Sequence, residues 1–164
     1  MAAPVSSPRV RVAAVIPSGD GLVLVRHEKD GASYYLLPGG GVQAGETIAA
    51  ALSREVMEET GLACEVVAPL FVNDSIAPDG SRHVVQLTFL AKPTGGALTD
   101  SPADPRVAAV RCAAFAELAD LDLRPLMGEQ LLEAAASGYS GCARYLGPLW
   151  SEPDTASQRR DRRP

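Results

Sequence analysis

Between Pro38 and Leu62 the chain changes character abruptly, and that change restricts what the flanking segments can fold into. Pro38-Gly39-Gly40-Gly41 lacks an amide donor at its proline and carries three residues that lose much backbone entropy on ordering, so it reads as a loop. From Thr47 to Thr60 the residues are good helix formers with no Gly or Pro among them. Gly61 stands where a left-handed C-terminal cap is wanted, which predicts one helix of about fourteen residues.

On that helix Ile48, Leu52, Glu55 and Glu59 follow one another at spacings of four, three and four, a single helical stripe. The core-facing stripe therefore turns acidic halfway along. Glu58 is adjacent, and the three carboxylates fall within an arc of roughly 100°. Like charges about 4 Å apart repel by about 4 kcal/mol at an effective dielectric of 20, and a helix C-terminus already carries negative partial charge. A cation is expected there. Hard carboxylate oxygens with no His or Cys nearby favour magnesium, with manganese as a substitute. The plainer alternative is a solvated helix face with Arg54 and Glu58 as an i, i+4 ion pair. The continuity with an apolar stripe, and a glycine loop ahead of the helix able to approach phosphates closely, favour metal binding.

The flanks read as strands at 9–16, 22–27, 34–37, 62–72, 82–91 and 107–113, the second returning from the first through Gly19-Asp20-Gly21. Turn signals from Asn73 to Ser81 predict a mobile loop, and Pro93 to Pro105 is a Pro- and Gly-rich connection. Phe115 to Leu118 predicts a short helical turn, and Pro125 suits the first position of a last helix running to Ser137 and closed by Gly138. With 164 residues, 46% hydrophobic and 21% charged, one domain over 9–150 accounts for the chain. Residues 1–8 are expected to be loose, and 151–164, with Arg159, Arg160, Arg162 and Arg163, to be a disordered tail.

The formal charge of −5 argues against general attraction to nucleic acid. No segment is apolar enough for a membrane span and no secretory signal is visible at the start, so a cytoplasmic location is expected. Cys64, Cys112 and Cys142 have no zinc spacing and read as reduced packing residues.

The motif resembles that of the Nudix hydrolases: Gly40, Glu46, Arg54, Glu55, Val56, Glu58, Glu59, Gly61 and Leu62 fill every fixed position of the family's box. The lead-in from Tyr35 to Gly40 is similar too, with Tyr in place of the commoner Trp. The resemblance implies an α/β/α sandwich with a mixed β-sheet between helices, and metal-assisted hydrolysis of a diphosphate linkage. It makes Glu55, Glu58 and Glu59 the metal ligands and pairs Arg54 with Glu46 to anchor the loop and orient Glu55. Glu55 is the first choice for assisting the attacking water, Arg54 and Glu58 standing with it as catalytic candidates. Gly39 and Gly40 are expected to approach the substrate. Some relatives have a further acidic ligand, for which Asp104 is the first candidate and Asp100 and Glu117 are the alternatives.

Substrate choice lies outside the box. Pro78, sixteen residues beyond Leu62, resembles the ADP-ribose pyrophosphatase subgroup, although Ala77-Pro78-Asp79-Gly80 is also ordinary turn chemistry. ADP-ribose is the first expectation, and a free or oxidised nucleoside triphosphate the second. Arg82 and Gln86 are candidate substrate contacts; Arg26 and His83 could grip phosphate or stack on a base, but ordinary surface contacts suit both better. A homodimer is compatible with the family. The rival from another class is a non-catalytic sensor that binds a nucleotide and signals through shape.

Overall fold

Alternate residues of the first strand serve two different cores, and this places that strand at the centre of the molecule. The computed structural model describes residues 7–150, so residues 1–6 of the expected loose start and the Arg-rich segment 151–164 lie outside the described residues. Strand β1 (Arg9–Val15) sends Ala13 and Val15 to one side, and Val12 and Ala14, followed by Ile16, to the other; all five are fully buried.

The remaining elements are β2 (Pro17–Ser18), β3 (Gly21–Lys29), β4 (Ala32–Leu36), β5 (Gly39–Gly41), α1 (Ile48–Thr60), β6 (Leu62–Ile76), β7 (His83–Gly96), β8 (Val107–Ala114), a 3-10 turn (Phe115–Glu117), α2 (Gly128–Ala136) and β9 (Arg144–Pro148). Strands β5-β1-β7-β6-β9 make a mixed sheet, with β1 parallel to β7 and β9 parallel to β6. A second, antiparallel sheet holds β2, β3, β4 and β8, so the expected α/β architecture carries its strands in two sheets.

Helix α1 covers the Val12, Ala14 and Ile16 face with Ala51, Leu52 and Val56, all fully buried. Burying one such leucine contributes about 1.5–3 kcal/mol. Ile48, expected on the same stripe, is 41% exposed because it occupies the first turn, beyond the edge of the sheet contact. The opposite core packs Met127, Leu131 and Ala134 against Ala13, Val15, Leu70 and Phe71.

The structure departs from the sequence expectations at five places. Gly39–Gly41 is a strand and not a loop: it pairs antiparallel with Arg11, Val12 and Ala13, flanked by Ala14 N–H to Pro38 O at 2.8 Å and Val42 N–H to Val10 O at 3.1 Å. Glycine permits an approach that side chains would block, since a Cβ on Gly39 would stand 2.1 Å from the Val12 carbonyl oxygen. The β6 strand runs on to Ile76, because Asn73 to Ile76 stay in register with Gln86 to His83, leaving only 77–82 as the turn. The last helix begins at Gly128 and not at Pro125. Tyr35 N–H bonds Asp122 O and Arg124 N–H bonds Tyr35 O, both at 2.8 Å, which keeps 122–124 extended beside β4. Strand β9 was not foreseen. Of the three free cysteines only Cys64 is partly buried; Cys112 and Cys142 are exposed, so packing accounts for Cys64 alone.

Among the described residues no helix is long and apolar enough to cross a membrane.

The end of α1 is closed tightly. Gly61 has φ 78° and donates to Met57 O at 2.9 Å, and a Cβ there would meet the Ala97 carbonyl oxygen at 2.6 Å. Gly61→Ala combines a left-handed backbone with that clash and is expected to cost about 1–3 kcal/mol, read as a lower urea midpoint.

Candidate active site

The site is built where α1 ends beneath the glycine strand. Thr47 caps the helix, its hydroxyl oxygen accepting from Ala50 N–H at 3.2 Å. Two turns later Arg54 points back over the 42–47 loop. Its Nε and Nη2 donate to the two carboxylate oxygens of Glu46 at 2.8 and 3.0 Å, and Nη2 also reaches Gly41 O at 3.2 Å. Nη1 donates to Glu55 at 2.8 Å and touches Glu58 at 3.5 Å. One guanidinium thus ties the loop, the glycine strand and the helix together. The Glu46 carboxyl is held below its ordinary pKa, chiefly by the bond from Arg54, and Arg54 is held above its own by Glu46 and Glu55.

Glu55 and Glu59 are buried, at 6% and 1% exposure. A Cβ on Gly40 would lie 2.2 Å from the Glu55 carboxylate, so only glycine leaves it room. Glu59 accepts from the Gly39 amide at 2.8 Å. Burial pushes the Glu59 carboxyl up to about 7, with Glu55 and Asp104 adding repulsion, while the Gly39 amide and Arg11 pull the other way.

Asp104 arrives from the connection between β7 and β8. Thr99 N–H to Thr60 O and Ala103 N–H to Glu58 O, both at 2.9 Å, fasten that segment to the last carbonyls of α1. Its side chain is only 8% exposed and pairs with Arg106, whose Nε lies 2.9 Å from Oδ1. Arg106 holds the Asp104 carboxyl below its ordinary value. Glu55, Glu59 and Asp104 each offer a carboxylate oxygen within 4.8 Å of the others. This donor set fits a hard divalent cation: it is all oxygen, buried, and mutually repulsive without a positive charge at its centre.

The other candidates are dispersed. Glu58 is 45% exposed and contacts Arg54. Asp100 is exposed, and Glu117 pairs with Arg111 and accepts from Ala114 N–H at 2.8 Å. Pro78 is exposed in a turn closed by Gly80 N–H to Ala77 O at 2.8 Å. Arg82 is exposed; Arg26 pairs with Glu28 at 3.0 Å. His83 lies 3.0 Å from Asp74, which also accepts from the Tyr145 hydroxyl at 2.7 Å. Gln86 is buried at 3%, its amide committed to Arg11 at 2.9 Å and Thr88 at 3.3 Å.

Sequence reasoning missed Arg11, which reaches Gln86, Leu37 O and Gly39 O. A signal was available: on the β1 face that continues as Ala13 and Val15, position 11 is charged where an apolar residue is expected.

Comparison with known proteins decides the family. The model of the NUDIX domain matches residues 7–134. The chain belongs to the Nudix domain family. It is 35% identical over 92 residues to an ADP-ribose pyrophosphatase of Methanocaldococcus jannaschii, an alignment covering 56% of this chain and 54% of that protein. It is 45% identical over 67 residues to an 8-oxo-dGDP phosphatase of Mus musculus, covering 41% of this chain and 19% of that one. The chain thus spans about half or less of the curated relatives it matches. Among solved structures, a NUDIX hydrolase from Nitrosomonas europaea superposes with a TM-score of 0.71 at 25% identity, over 80% of this chain and 90% of that one.

The raised carboxyl in this Nudix site has a thermodynamic signature. With a folded pKa of about 7 against about 4.3 unfolded, Glu59 retains a proton in the folded state that the unfolded state has lost. Its contribution is fully present below the unfolded value and is lost as pH rises through about 7, a change on the order of 3 kcal/mol. Metal-free protein is therefore expected to lose urea stability between pH 5 and pH 8, with Glu59→Gln flattening the profile.

Proposed function

We propose that this Nudix domain is a magnesium-dependent pyrophosphohydrolase that cleaves the diphosphate linkage of a nucleoside diphosphate derivative. The observation that carries the reading is the convergence of Glu55, Glu59 and Asp104 beneath a glycine strand. Glu55 and Glu59 belong to the motif, and Asp104 comes from a segment more than forty residues later.

In this reading Glu55, Glu59 and Asp104 would hold the cation, with manganese able to replace magnesium, and Glu58 on the same helix is a further candidate ligand. The bound metal neutralises charge on the diphosphate and lowers the pKa of a bound water. The chain's own residues do the rest. Gly39 and Gly40, lacking side chains, leave room for the Val12 carbonyl and the Glu55 carboxylate, which seats Glu55 directly against the strand. Arg54 aims Glu55 by donating to it at 2.8 Å, which suits Glu55 to take the proton of the attacking water. Water adds across the anhydride, one phosphorus gaining the hydroxyl oxygen while the other phosphate leaves.

ADP-ribose is the first substrate reading, with AMP and ribose 5-phosphate as products; it is supported by the Methanocaldococcus jannaschii relative, of whose length the alignment covers more than half. An oxidised nucleoside diphosphate is the second, supported by the 45% identity to the mouse 8-oxo-dGDP phosphatase. A panel with Mg2+ and Mn2+ separates them: AMP released from ADP-ribose supports the first, and inorganic phosphate from 8-oxo-dGDP the second. Binding with no turnover on either would leave a nucleotide sensor in place of the hydrolase.

Glu59→Gln and Asp104→Asn are expected to lower metal-dependent kcat by about 10²-fold or more while circular dichroism stays unchanged. Full activity in both variants would remove these residues from the site.

A further inference from the structure

The glycine strand supplies few of the contacts that hold it. Pro38 has no amide to donate, Gly39 has no side chain, and the Gly39 backbone sits at φ 150°, in the region that disfavours other residues. Yet the Gly39 amide is aimed at Glu59 at 2.8 Å. The carbonyl of that peptide, Pro38 O, accepts from Ala14 N–H at 2.8 Å, and the carbonyls on either side of it are held by one side chain.

That side chain is Arg11. Its Nη2 donates to the carbonyls of Leu37 at 3.1 Å and Gly39 at 3.0 Å, on either side of the Pro38–Gly39 peptide. Its Nη1 donates to Gln86 Oε1 at 2.9 Å, and Gln86, buried and in register with Arg11 on β7, sets the position of the guanidinium. A line of hydrogen bonds therefore runs from β7 through Arg11 and the glycine strand to Glu59 on α1. A lysine ammonium lacks the planar fork that serves Gln86 and two carbonyls together.

We propose that Arg11 is a positioning residue of the divalent-cation site: by fixing the Leu37 and Gly39 carbonyls it holds the Gly39 amide on Glu59 and keeps that carboxylate in place for the ion. This rests on the metal-dependent reading above. The proposal has a sign that separates it from simple electrostatics. A guanidinium near Glu55 and Glu59 repels an incoming cation, so a merely electrostatic Arg11 would weaken metal binding and its removal would tighten it. A positioning Arg11 does the reverse.

The test is Mn2+ binding to substrate-free protein, followed by the paramagnetic resonance of free Mn2+, with folding checked by circular dichroism. Arg11→Met is expected to bind Mn2+ about 10-fold more weakly, as removal of a residue that orients a metal ligand does. Arg11→Lys keeps the charge and loses the fork, and is expected to be weaker by about 3-fold, a smaller effect than loss of the whole side chain. Unchanged affinity in Arg11→Lys, or tighter binding in Arg11→Met, would overturn the proposal. Should Arg11→Met fail to fold, Arg11→Lys decides alone. If the unsubstituted protein binds no Mn2+, this proposal and the metal-dependent reading fall together; if it binds and both variants match it, only the role of Arg11 falls.

Discussion

Two carboxylates buried within reach of one glycine strand are the constraint around which the rest of the structure is arranged. Glu55 and Glu59 sit on the stripe that, one turn earlier, buries Leu52 completely, so packing of the helix delivers charge into the interior. Burying an unpaired carboxylate costs several kcal/mol, and the protein offsets this with specific donors: Arg54 on Glu55 and the Gly39 amide on Glu59. Each donor is itself held. Glu46 fixes Arg54 through a two-pronged ion pair, and Arg11 braces the carbonyls around Gly39. The apolar face of α1, made by Ala51, Leu52 and Val56, makes the arrangement rigid, since the helix cannot rotate without exposing it.

Local chemistry was legible in the sequence and long-range pairing much less so. The α1 helix could be read from its composition, its threonine cap and Gly61, because those signals act within a few residues. Gly39–Gly41 was misread because glycine's entropy cost is a local property, whereas the benefit of lacking a Cβ beside Val12 and Glu55 exists only once β1 and α1 are in place. Asn73 and Asp74 look like turn residues, yet pairing with β7 keeps them in a strand. Strand β9 has only two hydrophobic residues, Tyr145 and Leu146, and owes its existence to an open edge on β6 that no local pattern reveals.

The same division applies within the site. Glu55 and Glu59 could be nominated from helical periodicity, and the ion pair of Arg54 with Glu46 follows from the family resemblance. Asp104 was the first choice among three acids, although its sequence neighbours do little to distinguish it from Asp100 or Glu117. What separates them is geometric: two backbone hydrogen bonds seat the segment around Asp104 on the end of α1, while Glu117 is turned toward Arg111. Arg11 escaped notice because a charged residue in a strand reads as solvent-facing until the opposing strand and helix are known.

That seating on α1 has a further meaning. The segment from 97 to 106 is fastened by its backbone, through Thr99 and Ala103, to carbonyls that any helix end leaves unsatisfied. Attachment of this kind does not depend on which side chains the segment carries. The third acidic position can therefore be exchanged, shifted by a residue or lost while the scaffold stays intact. Variation there can alter chemistry without disturbing architecture, and a short motif on the helix can remain constant beside it.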